Sequence, residues 1–420
     1  MPDLNTHVIV GGGLAGAKAA EALRTEGFEG RIVLLAEEAE VPYERPPLSK
    51  DYLRGESPRE SARVHPEGFY ADHDIELRTG TTVTSVDPKA REVQLADGER
   101  IPYARLLLAT GARPRRLEVP GAELDGVLTL RDLADADALR ARLPWVAHLV
   151  VIGAGWIGSE VAASVRQIGS EVTVVERAEV PLEHVLGRDI GGFYGDIHRD
   201  HGVELLAGAE LKALAGESRV ERVELDDGRA IACDLVVVGV GVTPRSELAE
   251  AAGLAVENGI LVDEHLQTSV PGIFAAGDVA NVAHPYYGGR LRVEHWASAL
   301  HQPEVAARSM LGKPAIWDRL PYFFSDQYDV GMEYSGLATG QDEVVIRGDR
   351  AGRELIAFWL RDDRVVAGMN INVWDVNEGI QALIRAGQTV DRARLADPDV
   401  PLADLLPARN SVGARAANQA

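Results

Sequence analysis

The sequence predicts an α/β protein in which one strand–turn–helix–strand unit is used twice, and three observations carry that prediction. Two segments read alike: "THVIVGGGLAGAKAAEALRTEGFEGRIVLLAEE" from Thr6 and "HLVVIGAGWIGSEVAASVRQIGSEVTVVERAE" from His148. Each is a short apolar strand, a glycine-rich turn, an amphipathic helix and a second apolar strand ending in an acid, the pattern of a βαβ unit. Each copy is also followed by a similar exit, "RLLLATGARPRR" (105–116) and "DLVVVGVGVTPRSEL" (234–248), an apolar strand, then glycine, then proline. Finally, 420 residues exceed one ordinary core, so two or three domains are expected.

The elements of the first copy specify a kind of ligand. Gly11 permits a tight turn after the strand, Gly13 lets the backbone approach a pyrophosphate, and Gly16 lets the helix pack closely on the sheet. Free N–H groups at the helix start then face an anion. Glu37, about 20 residues on, is placed to accept from ribose hydroxyls. Gly153, Gly155, Gly158 and Glu176 repeat the arrangement in the second copy. Two Rossmann-like dinucleotide-binding domains are therefore expected; the competing reading is that the glycines serve only tight packing. Glu176 favours NADH over NADPH, since a carboxylate repels a 2′-phosphate, although Arg177 beside it pulls the other way. Further on, "GIFAAGDVA" (272–280) is a strand that stops at Gly277 and Asp278, where the aspartate either caps a helix or binds a ribityl chain.

Composition excludes several function classes. A net charge of −22 argues against nucleic acid as a partner. No apolar run approaches the roughly 20 residues of a membrane helix, and the first apolar segment lacks a basic flank, so no membrane association and a cytoplasmic location are expected. The single cysteine, Cys233, excludes an internal disulfide, a CxxC redox pair and a thiolate metal cluster within this chain; no metal site is expected. The last stretch, 408–420, is small and polar and reads as a disordered tail. "RPPLSK" (45–50) is too rich in proline to continue either a helix or a strand.

With these motifs in hand the chain resembles the FAD-dependent pyridine nucleotide oxidoreductases. Within them it is similar to the ferredoxin reductase type, the group of putidaredoxin reductase, the dioxygenase ferredoxin reductases and the AIF-like reductases. The resemblance runs from "VIVGGGLAG" through "RPPLSK", "ATGARPR", "VVIGAGWIGSEVA", "GVGVTP", "TSVPGIFAAGDVA" and "EHWASAL" to "FFSDQYD". "PPLSK" and "SDQY" discriminate most, because glutathione-reductase-like relatives carry a CxxxxC pair in the early region and this chain has none.

The resemblance implies a glutathione-reductase-like fold in which an NAD domain is inserted in an FAD domain, plus a C-terminal α+β domain. The FAD domain would comprise 1–112 and 243–320, the NAD domain 113–242 and the C-terminal domain 321–407. The resemblance places Gly11, Gly13, Leu14, Ala15 and Gly16 at the FAD pyrophosphate, Glu37 at its ribose and Val83 near adenine. Ala109, Thr110 and Gly111 would line the cofactor, Arg45 and Arg131 would approach its phosphates, and Gly277 and Asp278 would meet the ribityl-phosphate region. His295 and Trp296 would border the isoalloxazine ring. NADH would lie along Gly153, Gly155, Trp156, Ile157, Gly158, Glu176 and Gly241. Lys50, paired with Glu160, would stand beside the flavin N5 and stabilise negative charge as the ring is reduced.

The activity implied is transfer of electrons from NADH through FAD to a 2Fe–2S ferredoxin, and from there to a cytochrome P450 or a Rieske oxygenase. The alternative is an AIF-like flavoprotein, NADH oxidase or quinone reductase without a ferredoxin partner; a nucleotide-binding scaffold without catalysis is a more distant one. Two departures bear on the partners. Val180 and His184 stand where the family often has arginines that contact NADH, and Glu304 stands where a basic residue commonly faces the ferredoxin. Arg290, Arg292 and Arg319 are the substitute docking candidates.

Overall fold

A computed structural model describes residues 5–406; the expected disordered tail at 408–420 lies outside them. The two repeats become two parallel sheets built to one plan. In the first, the strand order is Ile273–Ala275, Arg105–Leu108, Thr6–Val10, Arg31–Leu35, Ile75–Arg78, every neighbour parallel. In the second it is Glu204–Ala207, Glu171–Glu176, His148–Ile152, Leu235–Val238, Val127–Thr129, again all parallel. Registers match as well: Val8 lies opposite Val33 and Leu106, and Val150 opposite Thr173 and Val236. The near-continuous Val, Ile and Leu of these strands follows from burial on both faces.

The copying extends beyond the βαβ units. A three-stranded antiparallel meander precedes the exit strand in each case, at Val83–Asp87, Glu92–Leu95 and Arg100–Pro102 and at Leu211–Ala215, Arg222–Leu225 and Ala230–Ala232. The two glycine–proline exits pair with each other, Ala112–Pro114 running antiparallel to Val242–Pro244. The same residue pattern is thus used to leave one sheet and to return from the other.

"RPPLSK" departs from the sequence expectation. Pro46–Ser49 forms a 3₁₀ turn, followed at once by the helix Asp51–Arg54, which Gly55 ends in the left-handed region at φ 79°. The prolines occupy the first two helical positions, where no backbone donor is needed and a fixed φ favours the turn. Arg45 O accepts from Leu48 N at 2.9 Å and Pro47 O from Lys50 N at 3.1 Å.

The described chain forms two compact units. One contains residues up to Leu182 together with Gly192–Phe323; the other contains Glu183–Gly191 and the residues from Phe324 onward. The second unit is built on a five-stranded sheet whose first strand starts at the unit boundary, ordered Tyr322–Gln327, Val330–Gly336, Arg364–Ile371, Glu354–Arg361, Glu343–Asp349. Gly368 leaves space for Ile380 of the helix Asn377–Ala386, since a Cβ there would stand 2.5 Å from that side chain. Trp359 is fully buried, its Nε1 donating to Leu186 O at 3.1 Å. No helix among the described residues is long and apolar enough to cross a membrane.

Candidate functional site

The first glycine-rich turn lies at the carboxyl edge of the first sheet, where open α/β sheets bind ligands. Gly11 has φ 120°, and a Cβ there would meet Ala109 O at 2.1 Å; one on Gly16 would meet Gly11 O at 1.9 Å. Only glycine allows strand, turn and helix to approach this closely. Leu14 and Ala15 begin the helix Leu14–Thr25, its start aimed at a cavity of about 490 Å³. Gly11, Gly13, Glu37, Arg45, Val83 and Arg131 all line that cavity, as do Ala109, Thr110 and Gly111. An open cleft, glycines in place of side chains and two guanidinium groups at a helix N-terminus suit a dinucleotide with an anionic middle.

The charged groups hold one another in place. Arg131 pairs with Asp278 at 2.6 Å and donates from Nε to Ala112 O, while its own carbonyl accepts from Arg45 Nε at 3.0 Å. Arg45 also pairs with Glu38 at 3.3 Å, and Tyr43 donates to the same carboxylate. Glu37 pairs with Arg245 at 2.7 Å. Gly277, at φ 78°, sets Asp278 against the first helix, since a Cβ there would lie 3.0 Å from the Ala15 Cβ. His295 caps the helix Trp296–Met310 and its ring lies 4.8 Å from that of Phe323. Desolvation pushes His295 down to about 4, against the opposing charge of Asp278. Its Nδ1 has no hydrogen-bond partner among the described residues. Trp296 Nε1 donates to Glu44 at 2.9 Å.

The second turn repeats these close approaches. Gly153 has φ 97° and its Cβ would meet Gly239 O at 2.6 Å; a Cβ on Gly158 would meet Gly153 O at 2.0 Å. Gly155 caps the helix Trp156–Ile168. Glu176 accepts from Ala154 N at 2.6 Å and from Ala178 N at 2.8 Å, so the acid also braces the turn. Arg177 is exposed beside it. Trp156 packs edge-on against Phe323 and Tyr194, whereas Ile157 is 46% exposed. Gly241, at φ 96°, lies beside Arg115 Nε.

Lys50 and Glu160, 110 positions apart in sequence, form a buried ion pair with Nζ to Oε1 at 3.1 Å. They are 8% and 4% exposed. Turn and helix thereby link the first repeat's excursion to the second repeat's helix. Cys233 is remote from this pair in character, packed with Val223, Leu225 and Val236, and burial pushes its thiol up to about 12. Among the described residues no cluster of His, Cys, Asp and Glu is arranged to hold a metal.

Two of the docking candidates make bonds within the chain. Arg290 donates to Val262 O and Asn281 O, and Arg292 to Asp278 O and Asn258 with Glu294 alongside at 2.6 Å, so both guanidinium groups serve internal bonds. Arg319 and Glu304 are exposed. Sequence reasoning missed Ser49, Glu44, Arg245 and Phe323. Their contacts join residues far apart in the chain; Ser49 inside "PPLSK", Phe323 at the start of "FFSDQYD" and Arg245 inside the second exit lay in motifs that offered a signal, and Glu44 did not.

A family model described as pyridine nucleotide-disulphide oxidoreductase matches residues 5–302, and a second described as reductase C-terminal matches 322–406. The chain belongs to this oxidoreductase family. It is 40% identical to the ferredoxin reductase subunit of 5,5′-dehydrodivanillate O-demethylase from a Sphingobium species, over 96% of this chain and 98% of that one. It is 38% identical to putidaredoxin reductase of Pseudomonas putida, over 96% of each. Among solved structures it is similar to the ferredoxin reductase for the CYP199A2 system of Rhodopseudomonas palustris. That match has a TM-score of 0.92 at 40% identity, over 95% of this chain and 99% of that one. The reductase in the covalent putidaredoxin reductase–putidaredoxin complex matches with a TM-score of 0.91 at 38% identity, over 96% and 98%. A family named for disulphide chemistry thus includes a chain whose one cysteine is buried in a hydrophobic core.

Proposed function

We propose that this protein is an NADH-dependent flavoprotein reductase that passes electrons through FAD to a 2Fe–2S ferredoxin serving a cytochrome P450 or a Rieske oxygenase. The observation that carries the reading is the pairing of two dinucleotide cradles with the buried Lys50–Glu160 pair, in a chain without a second cysteine. Electrons entering such a protein have no internal dithiol to reach, so the acceptor is external. The relatives named as ferredoxin reductases support the choice of acceptor.

In this reading residues 1–112 and 243–320 hold FAD, 113–242 hold NADH, and 321–407 form the C-terminal domain. FAD supplies the conversion between two-electron donation by a nicotinamide and one-electron acceptance by an iron–sulfur cluster. The chain's residues bind and orient. The helix start at Leu14 and Ala15, with Arg45 and Arg131, takes the pyrophosphate of FAD. Glu37 takes its ribose, and His295 with Trp296 borders the ring. The start of the second helix, with Gly155, Trp156 and Ile157, receives the coenzyme, and Glu176 selects NADH over NADPH. Lys50 presents a fixed positive charge toward the flavin, and Glu160 offsets the cost of burying it. A cytoplasmic location follows from dependence on the intracellular NADH pool.

The test is steady-state reduction of cytochrome c by NADH with the FAD-loaded protein, with and without a 2Fe–2S ferredoxin. Reduction should depend on ferredoxin. Equal rates without it would replace this reading with an oxidase or quinone reductase.

A further inference from the structure

Glu160 is held at both carboxylate oxygens, and the second hold comes from the residue next to Lys50. Ser49 Oγ donates to Oε2 at 2.5 Å while Lys50 Nζ meets Oε1 at 3.1 Å. Two consecutive residues therefore grip one carboxylate. Their side chains converge because the 3₁₀ turn ends between them, with Lys50 at φ −124° and ψ −119°. One helical turn after Glu160, Ser164 Oγ donates to Ser49 O at 2.6 Å. Residues four apart share a helix face. The helix Trp156–Ile168 thus binds Ser49 twice, by side chain and by carbonyl. Ser49 and Ser164 are each 2% exposed, so water cannot replace either bond at little cost.

We propose that Ser49 and Ser164 form a latch that fixes Glu160, and through it Lys50, making Ser49 a positioning residue for electron entry into the flavin. The proposal rests on the reading that Lys50 faces the flavin. A carboxylate bound on one oxygen alone turns freely about its last torsion, which is broad. Lysine, a point charge on a flexible stem, follows its partner. With the second oxygen tied down, the carboxylate cannot turn and the positions open to the ammonium narrow. The same helix begins at Gly155 and Trp156, so the element that would receive the coenzyme is also the one that sets Lys50.

The test compares Ser49→Ala and Ser49→Thr in the FAD-loaded protein. Anaerobic stopped-flow should show flavin reduction by NADH slowed about tenfold in Ser49→Ala, with coenzyme affinity unchanged, and largely restored in Ser49→Thr. The midpoint potential of bound FAD, measured by photoreduction without nicotinamide, should fall by about 30 mV, that tenfold factor converted for two electrons. On a Glu160→Gln background Ser49→Ala should add little, because both changes act through one carboxylate. Ser164→Ala should shift rate and potential the same way by less, and serves if Ser49→Ala does not fold. A wild-type potential and rate in Ser49→Ala, or an undiminished effect on the Glu160→Gln background, would overturn the latch. Failure of NADH to reduce the wild-type flavin would overturn the reductase reading instead, and the potential would still report on the latch.

Discussion

His7 sits in the strand Thr6–Val10, stacked on Phe28 with ring centroids 3.9 Å apart. Burial, helped by the positive charge of Arg105, holds its pKa down to about 4, from the ordinary histidine value of about 6.5. In the unfolded chain the ring takes up a proton near its ordinary value, so between those limits the unfolded state binds more protons. The contribution of His7 to stability is therefore fully present above about pH 6.5 and is lost as the pH falls toward 4. Replacing His7 by Phe keeps the stack and removes the titration. Urea unfolding at pH 7 and pH 4.5 should show a smaller loss for His7→Phe than for the wild type, by about 2 kcal/mol. An identical loss would mean that the buried ring takes up its proton in the folded state. The residues that bear on function divide along the same line of local against distant contact. Glu37 and Glu176 were legible because each ends a strand at a fixed distance from a glycine turn. Ser49, Glu44 and Arg245 were not, since their partners Glu160, Trp296 and Glu37 come from other parts of the chain.

The two βαβ elements were readable because every local signal agrees: uninterrupted apolar strands, glycines at fixed offsets and an amphipathic helix between. Their equivalence was visible too, and the structure shows it in two contacts of nearly equal length, Gly16 to Gly11 O and Gly158 to Gly153 O. The short turn at Pro46–Ser49 was not readable as a helix, since proline argues against a helix everywhere except its first turn. Equal geometry with different ligands makes a paired prediction. A methyl group at either glycine forces helix and strand apart and spoils one pyrophosphate cradle. Gly16→Ala should therefore yield protein with little bound flavin, measured from the 450 nm absorbance of purified protein at about that wavelength. Gly158→Ala should retain flavin but lose reduction by NADH by at least about tenfold, while photoreduction remains. Loss of flavin from both variants would show that the cradles do not act separately.

At the scale of the molecule, apolar runs and glycine turns announced two sheets. They could not announce the pairing of Ala112–Pro114 with Val242–Pro244, which depends on both exits being formed, or the inclusion of Glu183–Gly191 in the unit of the C-terminal sheet. These are long-range choices made by the assembled cores. The cores also differ in what they leave open. The first sheet's core borders the cavity of about 490 Å³ lined by the glycine-rich turn, whereas the cavity of about 460 Å³ in the C-terminal unit, lined by Arg347, Glu354 and Pro398, has no such turn, and the sheet there buries Phe358, Trp359 and Met369 fully. A ligand that binds only the folded form stabilises it by RT ln(1 + [L]/Kd), about 2.7 kcal/mol at a hundredfold excess over Kd. FAD should exert this on the unit that encloses its cavity. Scanning calorimetry of the flavin-free protein should therefore show a transition that climbs with each addition of FAD and a second that does not move. If one transition rose as a whole, the C-terminal sheet would unfold cooperatively with the flavin-binding core rather than on its own.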